Sequence, residues 1–412
     1  MNWAVTGSRL SNPLSASADL PASHLAESRL PALDGIRGLA VLMILVFHFW
    51  QSLYYFSGGE WLRLKLRFLA GGQTGVDLFF VLSGFLITGI LLNAKGTPHF
   101  LRNFYVRRAL RILPLYYLVV CGFFVTVWMH TGFHEALSKE WWYFPYLQNV
   151  GMTFWPGRVG DPGHFWSLGV EEHFYLLWPF LVLFCEERHL PKVLLALTAV
   201  SVGFRLLLIP IVGPDNIFWF SPCRFDALAL GALLAVVVRN PALTETAQRA
   251  CRWMLLILGP SLLILYPLTS GKGFFAMQAV KYLLVAVAYT ALLGTAVGAG
   301  RWPWLEAFFS VSFLRCCGKY SYAMYVFHPI VYAQAMALLR PNVPIAATHP
   351  NLYLLCEFAL LLFLVFLLSW ASWHLFERHF LNLKSRFEYN CHFHPDGRVP
   401  QGRCNEANCI TH

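Results

Sequence analysis

The chain has 412 residues, of which 57% are hydrophobic and 13% charged, and it carries a formal net charge of +10. A soluble fold has too little interior for so much apolar side chain, whereas lipid accepts it as solvent, so a water-soluble globular domain is excluded. The cations are spread over several short connections rather than gathered on one polar face, which excludes a nucleic-acid partner.

Apolar windows long enough to span a bilayer recur at about 31–52, 75–93, 112–130, 166–185, 192–212, 224–238, 253–269, 276–298, 321–339 and 352–376. They predict an all-α polytopic membrane protein, with about ten transmembrane helices around a central cavity and both termini on one side. The stretch 302–318 reads as a loop or a short amphipathic helix. Residues 1–28, rich in Ser and Ala, read as a flexible cytosolic leader, 29–380 as the membrane domain, and 381–412 as a polar cytosolic tail. The first window is longer than the apolar core of a cleavable signal and carries Arg37 and His48, so it is expected to be retained.

On a helix, the eleven positions from Arg37 to His48 advance about 1100°, returning to within roughly 20° of the same face after a rise of ~16 Å. The two residues therefore share one stripe at different depths. An arginine near mid-membrane costs at least ~2.5 kcal/mol and usually faces a cavity; the plainer alternative is that Arg37 snorkels and His48 is a hydrogen-bonded helix residue. Asp34 either orients the Arg37 guanidinium or caps the helix start, with the cap favoured.

Asp77 lies at the mouth of the second window. After that window, the cluster RNFYVRRALR places Arg107, Arg108 and Arg111 where they either meet a phosphate-bearing ligand or act as stop-transfer charge. Positive residues continue to gather in alternate connections, at Arg188 and Lys192, at Arg239, Arg249 and Arg252, and at Arg301, Arg315 and Lys319. The positive-inside rule then places these connections and both termini in the cytosol of an inner (plasma) membrane protein. The long connection 131–165, crowded with Trp141, Trp142, Tyr143, Phe154 and Trp155, is expected along the outer surface.

In the fourth window Glu171 shares a helical face with Tyr175 and Trp178, while Glu172 points elsewhere. A carboxylate there is either ion-paired or orients His48 or a substrate hydroxyl. Arg224 and Asp226 at the sixth window, and Tyr322 and His328 in the ninth, repeat the pattern of polar groups in apolar helices, which implies a shared wet cavity. Of the cysteines, those in or beside the windows read as small apolar groups. The tail holds Cys391, His392, His394, Cys404, Cys409 and His412, but its spacings match no tight metal-binding pair, so reduced thiols and no metal are expected.

The segments LPALDGIRGLAVLMILVFH, GVDLFFVLSGFLI, FYVRRALRILPLYY, FWSLGVEEHFYLLWP, RFDALALGALLA and SYAMYVFHP resemble, in order from about 31 to 379, the successive motifs of the membrane acyltransferase-3 family, which includes bacterial surface-glycan O-acetyltransferases. The resemblance places the family's arginine and histidine on Arg37 and His48, its serine-glycine motif on Ser83 and Gly84, and its buried glutamate on Glu171. It implies transfer of an acyl group from cytosolic acyl-CoA, acetyl-CoA by analogy, to a hydroxyl of a glycan, lipid or small-molecule acceptor across the membrane, with no tightly bound cofactor. His48 is then the general base. Arg37, with Arg107, Arg108 and Arg111, holds the CoA phosphates. Asp77, Ser83, Trp166, Ser167, Tyr175, Arg224, Asp226, Tyr322 and His328 are candidate substrate contacts. Nothing after residue 380 is large enough for the extracytoplasmic esterase-like domain of some relatives. The acceptor is thus expected to be modified directly or through a separate extracytoplasmic transferase, the chain acting alone or as a homo-oligomer. A transporter of a lipid-linked sugar or acylated product is the alternative, but related halves or paired broken helices are not evident. A scaffold would have no need of Arg37 and His48 on one stripe.

Overall fold

A computed structural model describes residues 31–52, 67–269, 275–298, 302–339 and 350–389. The leader 1–28 and the cysteine- and histidine-bearing part of the tail lie outside the described residues.

Among the described residues every regular element is helical. The longer helices are α1 (Pro31–Ser52), α2 (Gly75–Ala94), α3 (Phe100–Thr131), α4 (Phe133–Glu140), α5 (Gln148–Phe154), α6 (Trp166–Phe184), α7 (Leu190–Val212), α8 (Phe225–Val238), α9 (Pro241–Thr269), α10 (Phe275–Ala296), α11 (Pro303–Phe309), α12 (Ser312–Leu339) and α13 (Pro350–Ser372). Each apolar window lies on one of them, and the stretch 302–318 holds the short helix α11 and the first turns of α12. Among the described residues, six segments are long and apolar enough to cross a membrane: Pro31–Gln51, Phe68–Ala94, Phe100–Thr131, Glu187–Val212, Ala279–Ala296 and Leu355–Phe387. The helix Phe225–Val238 is apolar but shorter. Helices α6 and α12 fall outside that set; they bring Glu171, Glu172 and His173, and Arg315, Lys319 and His328, into otherwise apolar sequence. The connection 131–165 is not open coil: it folds into α4, α5 and short 3₁₀ turns.

Helix α2 is apolar all round and accordingly sits at the centre, packed against α8 on one side and α1 on another. Lipid offers no hydrophobic force between helices, so close packing must come from small residues that let backbones touch. A Cβ on Gly84 would lie 1.9 Å from the Leu228 carbonyl oxygen, and one on Gly231 would lie 1.9 Å from that of Val81. These two glycines fasten α2 to α8. Helix α1 meets α12 the same way, since a Cβ on Gly38 would lie 2.0 Å from the Leu314 oxygen and one on Gly318 would lie 1.9 Å from that of Asp34. The outward faces of α6, α7 and α13 expose large apolar side chains such as Leu176, Phe184, Leu207 and Phe363, as a lipid-facing surface does. The chain is an all-α, multi-pass membrane protein.

Candidate active site

Two cavities lie along the inward face of α1. The first, of about 170 Å³, is lined by Arg37, Arg108 and Arg111 together with Ser83, Ser167, Glu171, Tyr175, Tyr322 and Tyr325. The second, of about 140 Å³, is lined by His48, Gln51, Gln73, His164, Trp166 and Trp219. Val76 and Tyr325 belong to both linings and form the wall between them. The shared stripe of Arg37 and His48 thus opens into two chambers: one holds three guanidinium groups and no histidine, the other two imidazoles and no cation.

In the arginine chamber, Asp34 Oδ1 accepts a hydrogen bond from Arg37 Nη1 at 2.8 Å. The helix begins at Pro31, so Asp34 sits inside the first turn and orients the guanidinium rather than capping the helix. Arg108 lies over the Tyr175 ring, 4.9 Å from its centroid. The Tyr175 hydroxyl donates to Glu171 Oε2 at 2.8 Å and is itself hydrogen-bonded to Ser83 Oγ. Glu171 therefore serves the arginine chamber and does not orient His48, because one helical turn places it with Tyr175 below the wall. Glu172 does not line the chamber.

In the histidine chamber the ring protons can be assigned from their acceptors. A carbonyl only accepts, so His328 Nδ1, 2.7 Å from Tyr325 O, carries a proton, and its Nε2 is the lone-pair nitrogen. His48 Nδ1 likewise donates to Ile44 O at 3.0 Å and shares that proton with His328 Nε2 at 3.2 Å. The free lone pair of His48 is then on Nε2. His328 is fully buried and lines neither cavity, so it holds the His48 ring rather than touching substrate. His164 completes the cluster, its ring centroid 5.3 Å from that of His328. In the loop ahead of α6, burial first and His48 second push His164 down to about 3, which keeps it neutral at pH 7.

The wall is braced as well. Ser167 Oγ and Tyr325 Oη are 2.6 Å apart, and Tyr325 donates to the His164 carbonyl. With its proton committed there, Tyr325 accepts from Ser167.

Several predicted contacts fall elsewhere. Asp77 pairs with Arg224, and Asp226 pairs with Arg205 at 2.8 Å, all four buried. Neither carboxylate nor Arg224 lines either of the two chambers; Arg224 stacks instead over Tyr282, 4.3 Å from its centroid. These pairs join α2, α7 and α8, and buried ions must find partners of this kind. Arg107 also turns away, its Nη1 donating to the carbonyls of Lys384 and Phe387 and clamping the segment that follows α13. Trp166 lines the histidine chamber, while Ser167 and Tyr322 line the arginine chamber. Sequence pattern does not single out Arg205, His164 or Tyr325. Arg205 carries the same signal as Arg37, an arginine within an apolar window, and the other two stand in the motifs around Trp166 and Tyr322.

The model of the Acyltransferase domain family matches residues 30–374. The chain is similar to the peptidoglycan O-acetyltransferase OatA of Listeria monocytogenes serovar 1/2a, 28% identical over 343 residues that make up 76% of this chain and 51% of that protein. It is 27% identical to the O-acetyltransferase OatA of Staphylococcus aureus over 339 residues, 77% of this chain and 53% of that one. The chain thus spans about half the length of these curated relatives. No solved structure matches significantly.

Proposed function

The chain belongs to the Acyltransferase domain family, and from that membership we propose that it is an integral membrane O-acetyltransferase that moves an acetyl group from cytosolic acetyl-CoA to a glycan hydroxyl on the opposite side of the membrane. One observation carries this reading: an arginine chamber and a histidine chamber lie end to end along α1 behind a shared wall. Arg37, oriented by Asp34, anchors a phosphate of the donor with Arg108 and Arg111, as guanidinium forks do for phosphate oxygens. His48 Nε2 takes the proton of the acceptor hydroxyl, a role worth typically 10²–10⁴-fold in rate. When His48 is protonated, its Nδ1–H still has Ile44 O and His328 Nε2 to receive it, so the cation is not orphaned.

The loop charges support an arginine chamber that faces the cytosol, in an inner membrane with cytosolic termini. The name of the Listeria relative supports a peptidoglycan-type acceptor, reached directly, through a separate extracytoplasmic transferase, or by a second copy of the chain. Mass spectrometry of surface glycans from cells with and without the gene tests the reading. Loss of an acetyl-sized modification on deletion, restored by the wild-type chain and not by His48→Ala, is expected; an unchanged glycan spectrum refutes it.

A further inference from the structure

The donor-binding arginines and the imidazole base do not share a chamber, so a thioester whose arm is threaded through the arginine chamber passes the hydroxyls of that chamber before it reaches His48. Six hydroxyls line the arginine chamber, those of Ser83, Ser167, Tyr175, Ser321, Tyr322 and Tyr325, and four of them differ in where their protons can go. Tyr322 donates to the Ile112 carbonyl at 2.7 Å, and Tyr325 donates to the His164 carbonyl. Ser167 is bonded to Tyr325, so its chain also ends on a carbonyl, which cannot take a proton. Ser83 is bonded to Tyr175, whose own proton is already directed at Glu171 Oε2. Of these four hydroxyls, Ser83 alone stands at the head of a chain that ends on a carboxylate. With Tyr175 as its acceptor, Ser83 keeps its lone pairs free toward the cavity that it lines. Gly84, locked against the Leu228 backbone, fixes this turn of α2.

We propose that Ser83 is a nucleophile that takes the acyl group from the donor and holds it as an acyl-serine ester in the arginine chamber. The proposal rests on the acyl-CoA-dependent reading above. In the first step the Ser83 Oγ–carbonyl bond forms and the thioester C–S bond breaks. The Ser83 proton passes to Tyr175 as the Tyr175 proton passes to Glu171, and the same chain returns a proton to the departing CoA thiolate, giving the thiol. In the second step the acceptor oxygen attacks the acyl-serine once the Val76–Tyr325 wall opens. His48 takes the acceptor's proton and delivers it to the departing Ser83 oxygen, as an imidazole does when an acyl-enzyme is discharged. Val76 is seven residues before Ser83, two turns along the same face of α2 and about 10 Å away, so the acyl-serine lies directly below the wall.

The test uses the full chain in nanodiscs, incubated with carbon-13-labelled acetyl-CoA, with and without peptidoglycan fragments, and read by peptide mass spectrometry. Labelled acetyl on Ser83 is expected in the wild type, is expected to accumulate in His48→Ala, and is expected to be absent in Ser83→Ala. Turnover should fall at least ~100-fold in Ser83→Ala. Ser83→Cys, which keeps a nucleophile of similar shape, should instead carry a thioester cleaved by neutral hydroxylamine. Wild-type protein that makes glycan ester with no label on Ser83, or folded Ser83→Ala that turns over within threefold of wild type, overturns the serine and leaves the transferase reading standing. Label on Ser83 with no delivery to peptidoglycan keeps the serine and refutes the acceptor. Neither label nor ester refutes both.

Discussion

Replacing Arg37 by alanine should weaken donor binding before it affects chemistry. A charge-assisted hydrogen bond removed from water is worth about 1.5–3 kcal/mol, a factor of roughly 10–150 in Kd. Arg108 and Arg111 line the same chamber and keep part of its positive potential, which places the loss near tenfold. The substitution also leaves Asp34, which held the guanidinium at 2.8 Å, as an unneutralised carboxylate next to the chamber that takes an anionic donor. Asp34→Asn in the Arg37→Ala background should therefore recover part of the lost affinity. His48→Ala is the contrasting lesion: its Kd for acetyl-CoA should stay within about twofold of wild type, while turnover falls ~10²–10⁴-fold. Calorimetric binding of acetyl-CoA to purified protein, beside product formation, separates the two. Unchanged affinity in a folded Arg37→Ala protein refutes the anchor and passes the role to Arg108 and Arg111; wild-type turnover by His48→Ala refutes the base.

Glu171→Gln should reduce turnover by at least tenfold while Glu172→Gln stays within about threefold, since only Glu171 lines the chamber and receives the Tyr175 proton; equal activities at matched membrane abundance would remove Glu171 from the site. In intact cells a membrane-impermeant thiol reagent should modify a cysteine placed at Arg158 and spare Cys409, and the reverse labelling would invert the orientation. At the end of α4, burial first and Asp161 second raise Glu140 to about 7, and among the described residues its carboxylate oxygens have no hydrogen-bond partner. A raised acid keeps its proton in the folded state and loses it on unfolding, so stability should fall as pH rises from about 4.5 to about 7 and level off above that. The penalty is on the order of 3 kcal/mol, and Glu140→Gln should flatten the pH dependence of Tm over that window; an unaltered slope would show that Glu140 does not titrate there.

Composition and apolar periodicity alone determine the class and the helices, because a bilayer-length apolar run has one low-energy fate: a helix that satisfies its own backbone. Helical phase likewise determines that Arg37 and His48 share a face, and that Glu171 rather than Glu172 goes with Tyr175. Only the tertiary structure decides which side chains meet. The sequence stripe is continuous, but Val76 and Tyr325 come from other helices and divide it, so His48 takes His328 as its partner, 280 positions away, while Glu171 stays with the arginines. The charges at Asp77, Arg224 and Asp226 carried the same local signal as Arg37, yet Arg205 arrives from α7 and closes them into buried pairs. A charge in an apolar helix must find a partner or a cavity, and one-dimensional pattern states that requirement without revealing which of the two the packing supplies.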